Sequence, residues 1–357
     1  MSRARDIADL GGSADAGGLT GRNLIINGAM TVAQRGASGG TATTSATYLS
    51  VDRFKSDIDG SGGGDFSHAQ VEDAPLGQGF RYSSKLTTVT QASQPTSETN
   101  RQQFYTLLEK QNTFHLDWGT SSAKTCTLSF WVKGSITGTY GFSFAHYGGS
   151  GGSTVSYYYY TNYTIDSANT WEKKTITVTG PTVGGNERDG NSFGTRVEWI
   201  LGIGSDAETG TLNEWTASST YRTAANTVYL PENASATLYI TGVQFELGEQ
   251  ATPFEHRSYG DELARCQRYC FTQARYGDGS IGSDSAGSTR IHCARYSTSG
   301  SFVTYQYPVM MREDPDLTYS ASGGATSADY SNTGHVQLYD SDDNGWYIYN
   351  LIAEAEL

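Results

Sequence analysis

The sequence is poor in long apolar stretches and in basic residues. Among its 357 residues, 24 are Lys or Arg and 37 are Asp or Glu, so the formal net charge is −13. The basic footprint of a nucleic-acid-binding protein is absent, so we expect no nucleic acid among the partners. No apolar run approaches the roughly 20 residues that a membrane-spanning helix needs, so we expect no membrane insertion.

Signals for secretion are also missing. The opening residues, MSRARDIADLGG, contain no apolar stretch of the kind found in a signal peptide. We therefore expect the chain to be made and assembled in a cytoplasm, where thiols stay reduced. Its few cysteines are Cys126, Cys266, Cys270 and Cys293.

Glycine, tyrosine and small polar residues are abundant instead. The chain contains 43 glycines and 24 tyrosines, and only 17% of its residues are charged. Thr, Tyr, Val and Phe favour strands, whereas Ala, Leu, Glu and Lys favour helices. The composition therefore predicts an all-β protein with many turns, and its 12% aromatic content argues against disorder.

Strand-like runs separated by Gly, Asn, Ser and Asp clusters fill residues 22–258. In Cys126–Val132, apolar residues occupy one parity, as in a half-buried strand. About nine such runs predict a jelly-roll-like β-sandwich. The predicted strands are Asn23–Ile26, Gly79–Val89, Thr125–Lys133, Thr139–His146, Thr154–Thr164, Trp171–Thr179, Thr195–Gly202, Asn226–Leu230 and Thr237–Leu247.

Three other segments complete the chain. Residues 259–270 predict a short connecting helix, which Asp261 can cap. Residues 271–357 return to strand-like patterns and predict a smaller C-terminal β domain. Residues 1–21 join a short charged peptide to a Gly/Ala/Ser linker, for which docking to another subunit and a frayed end are the two interpretations.

Three stretches carry a family resemblance. They are NLIINGAMTVAQRG (Asn23–Gly36) with Val51–Phe54, TLSFWVKG (Thr127–Gly134), and GVQFELG (Gly242–Gly248) with Ala251–Arg257 and Glu262–Tyr269. Together they resemble a family of phage tail-fibre and virion structural proteins that is abundant in marine phages. The start and the last strand of the predicted sandwich also resemble jelly-roll carbohydrate-binding modules.

The resemblance implies a structural subunit of a bacteriophage virion. The first expectation is a homotrimeric, tail-fibre-type appendage that mediates attachment to the host surface. The alternatives are a head fibre or capsid decoration protein and, more distantly, a depolymerase of surface glycans. The N-terminus resembles a leader that would dock on other virion proteins, with docking residues Arg3, Arg5, Asp6, Ile7 and Leu10.

Aromatic side chains among polar neighbours are candidates for contact with a host surface glycan. Flat rings stack on sugar rings, while Asn, Asp and Gln side chains bond the hydroxyls. The alternative is that these rings fill the sandwich core or a subunit interface. The candidates are Tyr147, Tyr157, Tyr159, Trp215, Tyr221 and Trp346.

We expect no cofactor apart from a calcium ion that the resemblance to sugar-binding modules implies. In those modules an ion ties the first strand to the last, and the matching residues are Asn27, Asp52 and Glu246. The alternative is that Asn27 belongs to a turn and Glu246 lies on an outer face. Residues 340–345 match half of a calcium loop, but Leu351 stands where the loop needs a carboxylate, so we predict a polar hairpin turn there.

Patterns with catalytic or metal-binding potential are incomplete. Gly148–Gly152 matches G-x-S-x-G, but a strand-like run follows where a nucleophile elbow needs a helix. Neighbouring carboxylates, Asp57 with Asp59 and Asp314 with Asp316, do not show the facing pair of a glycosidase. The set Cys266, Cys270, His292 and Cys293 lacks a standard zinc spacing. We therefore predict that the protein is not an enzyme.

Overall fold

The computed structural model describes residues 21–357 with several gaps. The described ranges are 21–43, 46–60, 64–150, 153–186, 190–208, 211–217, 220–224, 227–273, 291–292, 294–297, 300–322, 326–340 and 347–357. Among these residues, no helix has the length and apolar character needed to cross a membrane.

The first part of the chain folds into two packed sheets. Its strands are β1 (Gly40–Ala42), β2 (Phe54–Asp59), β3 (Phe66–Val71), β4 (Ser83–Thr88), β5 (Arg101–Glu109), β6 (Thr125–Gly134), β7 (Gly138–Ser150), β8 (Ser153–Ile165), β9 (Glu172–Thr179), β10 (Phe193–Ile203), β11 (Trp215–Thr216) and β12 (Thr237–Leu247). The first sheet has the order β1-β3-β4-β12-β6-β9, and the second has the order β11-β8-β7-β10-β5-β2. Every recorded pairing within these sheets is antiparallel.

Aromatic rings fill the space between the two sheets. Trp199, from the second sheet, is fully buried and lies 5.4 Å from the ring of Phe130 in the first sheet and 5.4 Å from that of Phe142. Phe54 and Phe104 stack at 5.4 Å beside them. Side chains alternate between the faces of a strand, so these inward rings send their sequence neighbours to the outer face.

The predicted all-β jelly-roll-like sandwich with a short helix and further strands is confirmed. Two predicted strands are wrong. Asn23–Ile26 forms no strand, although the Leu24 backbone N–H donates to the Phe245 carbonyl of β12 at 2.9 Å. Described residues of Asn226–Leu230 form no strand, and Leu230 begins a 3-10 helix.

The sequence prediction missed five strands of the sandwich, namely β1, β2, β3, β5 and β11. The clearest omission is β5, which lies inside the second sheet between β10 and β2. Its polar start, Arg101-Gln102-Gln103, hides the alternation that Phe104, Thr106 and Leu108 follow.

Helices are short. They are α1 (Lys110–Thr113), α2 (Tyr259–Gln267) and the 3-10 turns η1 (Phe114–Leu116), η2 (Ser205–Glu208) and η3 (Leu230–Glu232). The connecting helix α2 is capped by Ser258, whose side chain accepts a hydrogen bond from the Asp261 backbone N–H at 3.2 Å. Asp261 was predicted as the cap, but it lies three residues further on, where its carboxylate accepts from the Ser258 hydroxyl at 2.7 Å.

The remaining strands form two four-stranded sheets. They are β13 (Cys270–Thr272), β14 (Ile291–His292), β15 (Ala294–Ser297), β16 (Gly300–Gln306), β17 (Asp316–Ser322), β18 (Thr326–Ser331), β19 (His335–Asp340) and β20 (Tyr347–Glu354). Strand β20 pairs with β13, β14 and β17, whereas β19 pairs with β16 and β18. The polar hairpin turn was predicted at residues 340–345, and residues 341–346 lie outside the described residues.

The C-terminal tail is anchored on the sandwich by buried arginines. The Arg53 guanidinium stacks over the Tyr269 ring at 3.4 Å, donates to the Leu107 carbonyl at 2.8 Å and pairs with Glu356. Arg35 also contacts Glu356, at 3.1 Å. Burial opposes the charge of Arg53, but Glu356 holds the pKa of that group above its usual value. The boundaries predicted at residues 21, 258 and 270 stay predictions.

A change at Glu356 should loosen this joint. Glu356→Gln removes the counter-charge of two buried guanidinium groups, so we expect the free energy of unfolding to fall by about 3 kcal/mol in urea titrations. Glu354→Gln is the matched control, because the Glu354 side chain is 43% exposed and pairs with Arg35 alone. Its loss should stay below about 1 kcal/mol, and equal losses in the two variants would contradict the role of Glu356.

A histidine is buried between the sheets. His68 Nδ1 lies 3.4 Å from the Ser56 hydroxyl of the second sheet, and its Nε2 lies 3.1 Å from the Ser84 hydroxyl of the first. Burial lowers the pKa of His68 to about 3. An unfolded histidine titrates near pH ~6.5, so between these values the unfolded chain binds a proton that the native chain does not.

This difference predicts acid sensitivity. The contribution of His68 to stability is complete above pH ~6.5 and is lost progressively as the pH falls toward about 3. His68→Gln keeps polar groups without titrating, so between pH ~7.5 and ~4.5 it should lose about 2 to 3 kcal/mol less stability than the parent. Parallel pH profiles of unfolding free energy would show that His68 does not drive the acid response.

Candidate functional site

The outer face of the second sheet presents side chains in rows set by strand register. On the ladder, Glu198 of β10 lies opposite Tyr105 of β5 on one side and opposite Ser143 of β7 on the other. Each of these residues neighbours an inward ring in sequence, so it points outward. The complete row across the sheet is Lys55, Tyr105, Glu198, Ser143 and Tyr160.

An ion pair lies at the centre of this face. Glu198 is fully buried, and its Oε2 accepts from Arg196 Nη2 at 2.8 Å and from the Ser143 hydroxyl at 2.7 Å. Its Oε1 is buried and has no hydrogen-bond partner among the residues that the structure describes. A buried carboxylate oxygen without a donor is costly to a native fold, which makes the pairing of Glu198 with Arg196 and Ser143 important for stability.

Tyr221 forms one wall beside the ion pair. Its hydroxyl accepts from Arg196 Nη2 at 2.7 Å, and the Arg101 guanidinium lies 4.5 Å from its ring centre. Gly141 lets the segment around Thr223 approach the sheet, since an added Cβ would lie 2.9 Å from Thr223 Cγ2. This wall encloses a cleft of about 300 Å³ that Arg101, Tyr158, Arg196, Thr220 and Tyr221 line together with Glu98 and Thr99.

Aromatic rings border the opening. The Tyr147 ring meets the Phe193 ring edge-to-face at 4.6 Å and the Tyr158 ring at 6.3 Å. Tyr147 and Tyr158 are half-buried, and Phe193 is 40% exposed. The cleft therefore joins a charged, hydrogen-bonding floor to an apolar rim, which is the combination that sugar recognition requires.

Burial and neighbouring charges shift the pKa values of the ionisable groups at and near the cleft. Burial opposes ionisation of Arg196, but Glu198 and the neighbouring tyrosines hold its pKa above the usual range. Burial raises the pKa of Tyr221, and the Glu198 charge raises it further. The pKa of Asp57 is raised by burial and by Glu198, and Arg101 partly offsets this.

The six residues predicted to bind a glycan lie in different parts of the structure. Tyr221 lines the cleft, and Tyr147 lies beside it, 6.3 Å from the ring of the lining residue Tyr158. Tyr159 and Trp215 contact each other at 5.5 Å and pack against the core, and Trp215 also meets Trp118 at 5.3 Å. Tyr157, on β8, packs against Gly184, which lies after β9. Trp346 lies outside the described residues.

Tyr158 and Arg196 line the cleft, and Tyr105 and Glu198 contact Arg196. The sequence analysis selected none of these four residues. Tyr158 belongs to the run Tyr157–Tyr160, in which the prediction favoured the odd positions. The register settles the parity, because Phe144 points inward and pairs with Tyr159. Arg196 and Glu198 were detectable as the charged parity of a strand whose other parity is Val197 and Trp199.

The predicted calcium ligands face donors instead of one another. Asn27 Oδ1 accepts from the Val32 backbone at 3.0 Å, and Asp52 Oδ1 accepts from the Gln34 backbone at 2.9 Å. Glu246 accepts from the Thr252 backbone at 2.9 Å. Among the described residues, no group of three His, Cys, Asp or Glu side chains could hold a metal ion.

Other sequence patterns do not converge on the cleft. The G-x-S-x-G string joins β7 to β8, which pair antiparallel, so no helix follows the serine. Cys266 and Cys270 are buried free thiols on α2 and β13, and Cys293 lies outside the described residues. The proposed docking residues of 1–21 also lie outside them.

Comparison with known proteins gives only distant likeness. No family model and no curated protein sequence matches the chain. The enzymatically active domain of tailspike protein 4 from bacteriophage CBA120 is 12% identical, with a TM-score of 0.32 over 63% of this chain, which spans only 21% of that structure.

Two carbohydrate-binding modules resemble the chain at a similar level. The family 11 module of a Clostridium thermocellum cellulase is 11% identical, with a TM-score of 0.29 over 59% of this chain and 99% of the module. A xylan-binding domain from Paenibacillus barcinonensis is 11% identical, with a TM-score of 0.25 over 60% of this chain and 93% of the domain. Likeness at this level carries no argument for a shared activity.

The ion pair at the cleft floor should behave as a unit. Arg196→Met leaves the Glu198 carboxylate buried without its partner, so we expect unfolding free energy to fall by about 3 to 5 kcal/mol. Adding Glu198→Met removes the stranded charge and should recover most of that loss in a double-mutant cycle. Strictly additive losses would show that the two side chains are not coupled.

Proposed function

We propose that the protein is a glycan-binding attachment subunit of a bacteriophage particle, of the tail-fibre type, and that the cleft beside Arg196 and Glu198 binds the sugar. The carrying observation is a cleft that joins the guanidinium groups of Arg101 and Arg196 to the rings of Tyr158 and Tyr221. Sugar hydroxyls can accept from the guanidinium groups while an apolar sugar face stacks on Tyr158.

The virion assignment is supported by the sequence resemblance. Under this proposal, the protein is part of the assembled particle. Residues 1–21 would dock on other virion proteins, and three chains would form the appendage. A non-enzymatic role is favoured because Glu198 is fully buried and held by Arg196 and Ser143, which leaves it poorly placed as a mobile proton donor.

Glycan binding can be measured with the purified full chain on an array of bacterial surface polysaccharides. Tyr158→Ala removes a ring at the cleft opening, so we expect the affinity for the recognised glycan to fall about tenfold. Phe114→Ala is the matched control, because Phe114 is a 44% exposed ring that does not line the cleft. Absence of any bound glycan, or equal losses in both variants, would refute the site.

The same experiment addresses catalysis. After long incubation, the bound polysaccharide should keep its chain length, as measured by size-exclusion chromatography. Shortened chains would reverse the proposal in favour of a depolymerase.

Assembly is tested by light scattering of the full chain and of a form that lacks residues 1–21. We expect each form to have three times the mass of its own chain, which is 38.5 kDa for the full chain, since the leader would serve docking to the particle. A monomer in both forms would contradict the homotrimeric appendage and favour a decoration protein.

A further inference from the structure

A row of lysines and aromatic rings crosses the outer face of the first sheet, on the opposite side of the sandwich from the cleft. Tyr239 of β12 lies opposite Lys85 of β4 on one side and opposite Lys133 of β6 on the other. Trp171, just before β9, completes the series beside Lys133. We call these four residues the lysine–aromatic row.

Neighbouring side chains in the row lie close together. The Lys133 ammonium lies 4.2 Å from the Tyr239 ring centre and 5.3 Å from that of Trp171. The Lys85 ammonium lies 5.5 Å from the Tyr239 ring centre. All four side chains are half-buried, so each presents part of its surface to solvent.

Asp73 holds one end of the row in place. Its Oδ2 pairs with the Lys133 ammonium at 2.5 Å, and its Oδ1 accepts from Trp171 Nε1 at 3.2 Å. The orientation of the Trp171 ring is therefore fixed before any ligand arrives. A preorganised ring costs less conformational entropy on binding.

Positive charge remains on this face after the pairing. Lys85 and the exposed Lys173, which lies opposite Trp131 on the ladder, have no ion-pair partner among the described residues. Lys85, Lys133 and Lys173 therefore share this face, and of the three only Lys133 pairs with a carboxylate, that of Asp73, among the described residues. A chain with a net charge of −13 thus carries a locally positive face that could attract an anion.

We propose that the lysine–aromatic row is a second carbohydrate site, which binds a polysaccharide bearing carboxylate groups, such as a uronic-acid polymer. The sugar faces would stack on Tyr239 and Trp171, and the carboxylates would pair with Lys85 and Lys133. These two lysines lie two strands apart, about 10 Å in a β-sheet, which is close to the length of a disaccharide unit. The inference stands independently of the cleft on the other face.

Rings in the row favour a sugar polymer over a dense polyphosphate. A phosphate chain offers charge but no apolar face for Tyr239 and Trp171. A uronic-acid chain supplies both an apolar ring face and spaced carboxylates.

The test is affinity electrophoresis of the full chain in native gels that contain polygalacturonate or its methyl ester. We expect polygalacturonate to retard the protein and the uncharged ester to retard it far less. Retardation should weaken as the NaCl concentration rises from about 0.05 to about 0.5 M. Equal retardation by the ester, no retardation at all, or stronger retardation by polyphosphate would each overturn the proposal.

Variants locate the binding. Tyr239→Ala and Lys85→Gln should each weaken the polygalacturonate affinity about tenfold, because each removes one of the row's two kinds of contact. Lys124→Gln removes the same charge from a 44% exposed lysine outside the row and should have no effect. Tyr158→Ala should also have none, which separates this site from the cleft. An equal loss in Lys124→Gln or Tyr158→Ala would refute the assignment to the row.

Discussion

The packing of Trp199 against rings from both sheets is the constraint on which the rest of the structure depends. Trp199 lies 5.4 Å from Phe130 of the first sheet and 5.4 Å from Phe142 of its own sheet. A one-residue slip of β10 would turn this ring outward and would place the Glu198 carboxylate in the core. The aromatic core therefore fixes which side chains reach the outer faces, and with them the positions of both candidate binding surfaces.

Both surfaces follow from the same alternation with different chemistry. On the second sheet, the outward parity places an ion pair under a cleft that a later segment of the chain walls with Tyr221. On the first sheet, the outward parity interleaves Lys85 and Lys133 with Tyr239 and leaves positive charge exposed. The two faces are suited to different ligands, and one rigid scaffold presents both.

The sequence predicted the fold class and most strands of the sandwich, because alternation is strong in segments such as Cys126–Val132. It could not predict the parity of Tyr157–Tyr160, since four identical residues carry no alternation and only the pairing of Tyr159 with Phe144 decides it. The cleft was only partly visible, because Tyr221 reaches Arg196 across 25 residues through tertiary folding. Strand β5 was not predicted because it begins with polar residues. Its outward residues Gln103 and Tyr105 further hide the apolar alternation.

The most direct test of the account is a crystal structure of the protein with an oligosaccharide cut from the polysaccharide that it binds most tightly. The account predicts a sugar ring in the cleft, against Tyr158, with hydroxyls accepting hydrogen bonds from Arg101 or Arg196. A sugar bound elsewhere on the sandwich, with the cleft unchanged, would contradict the central claim.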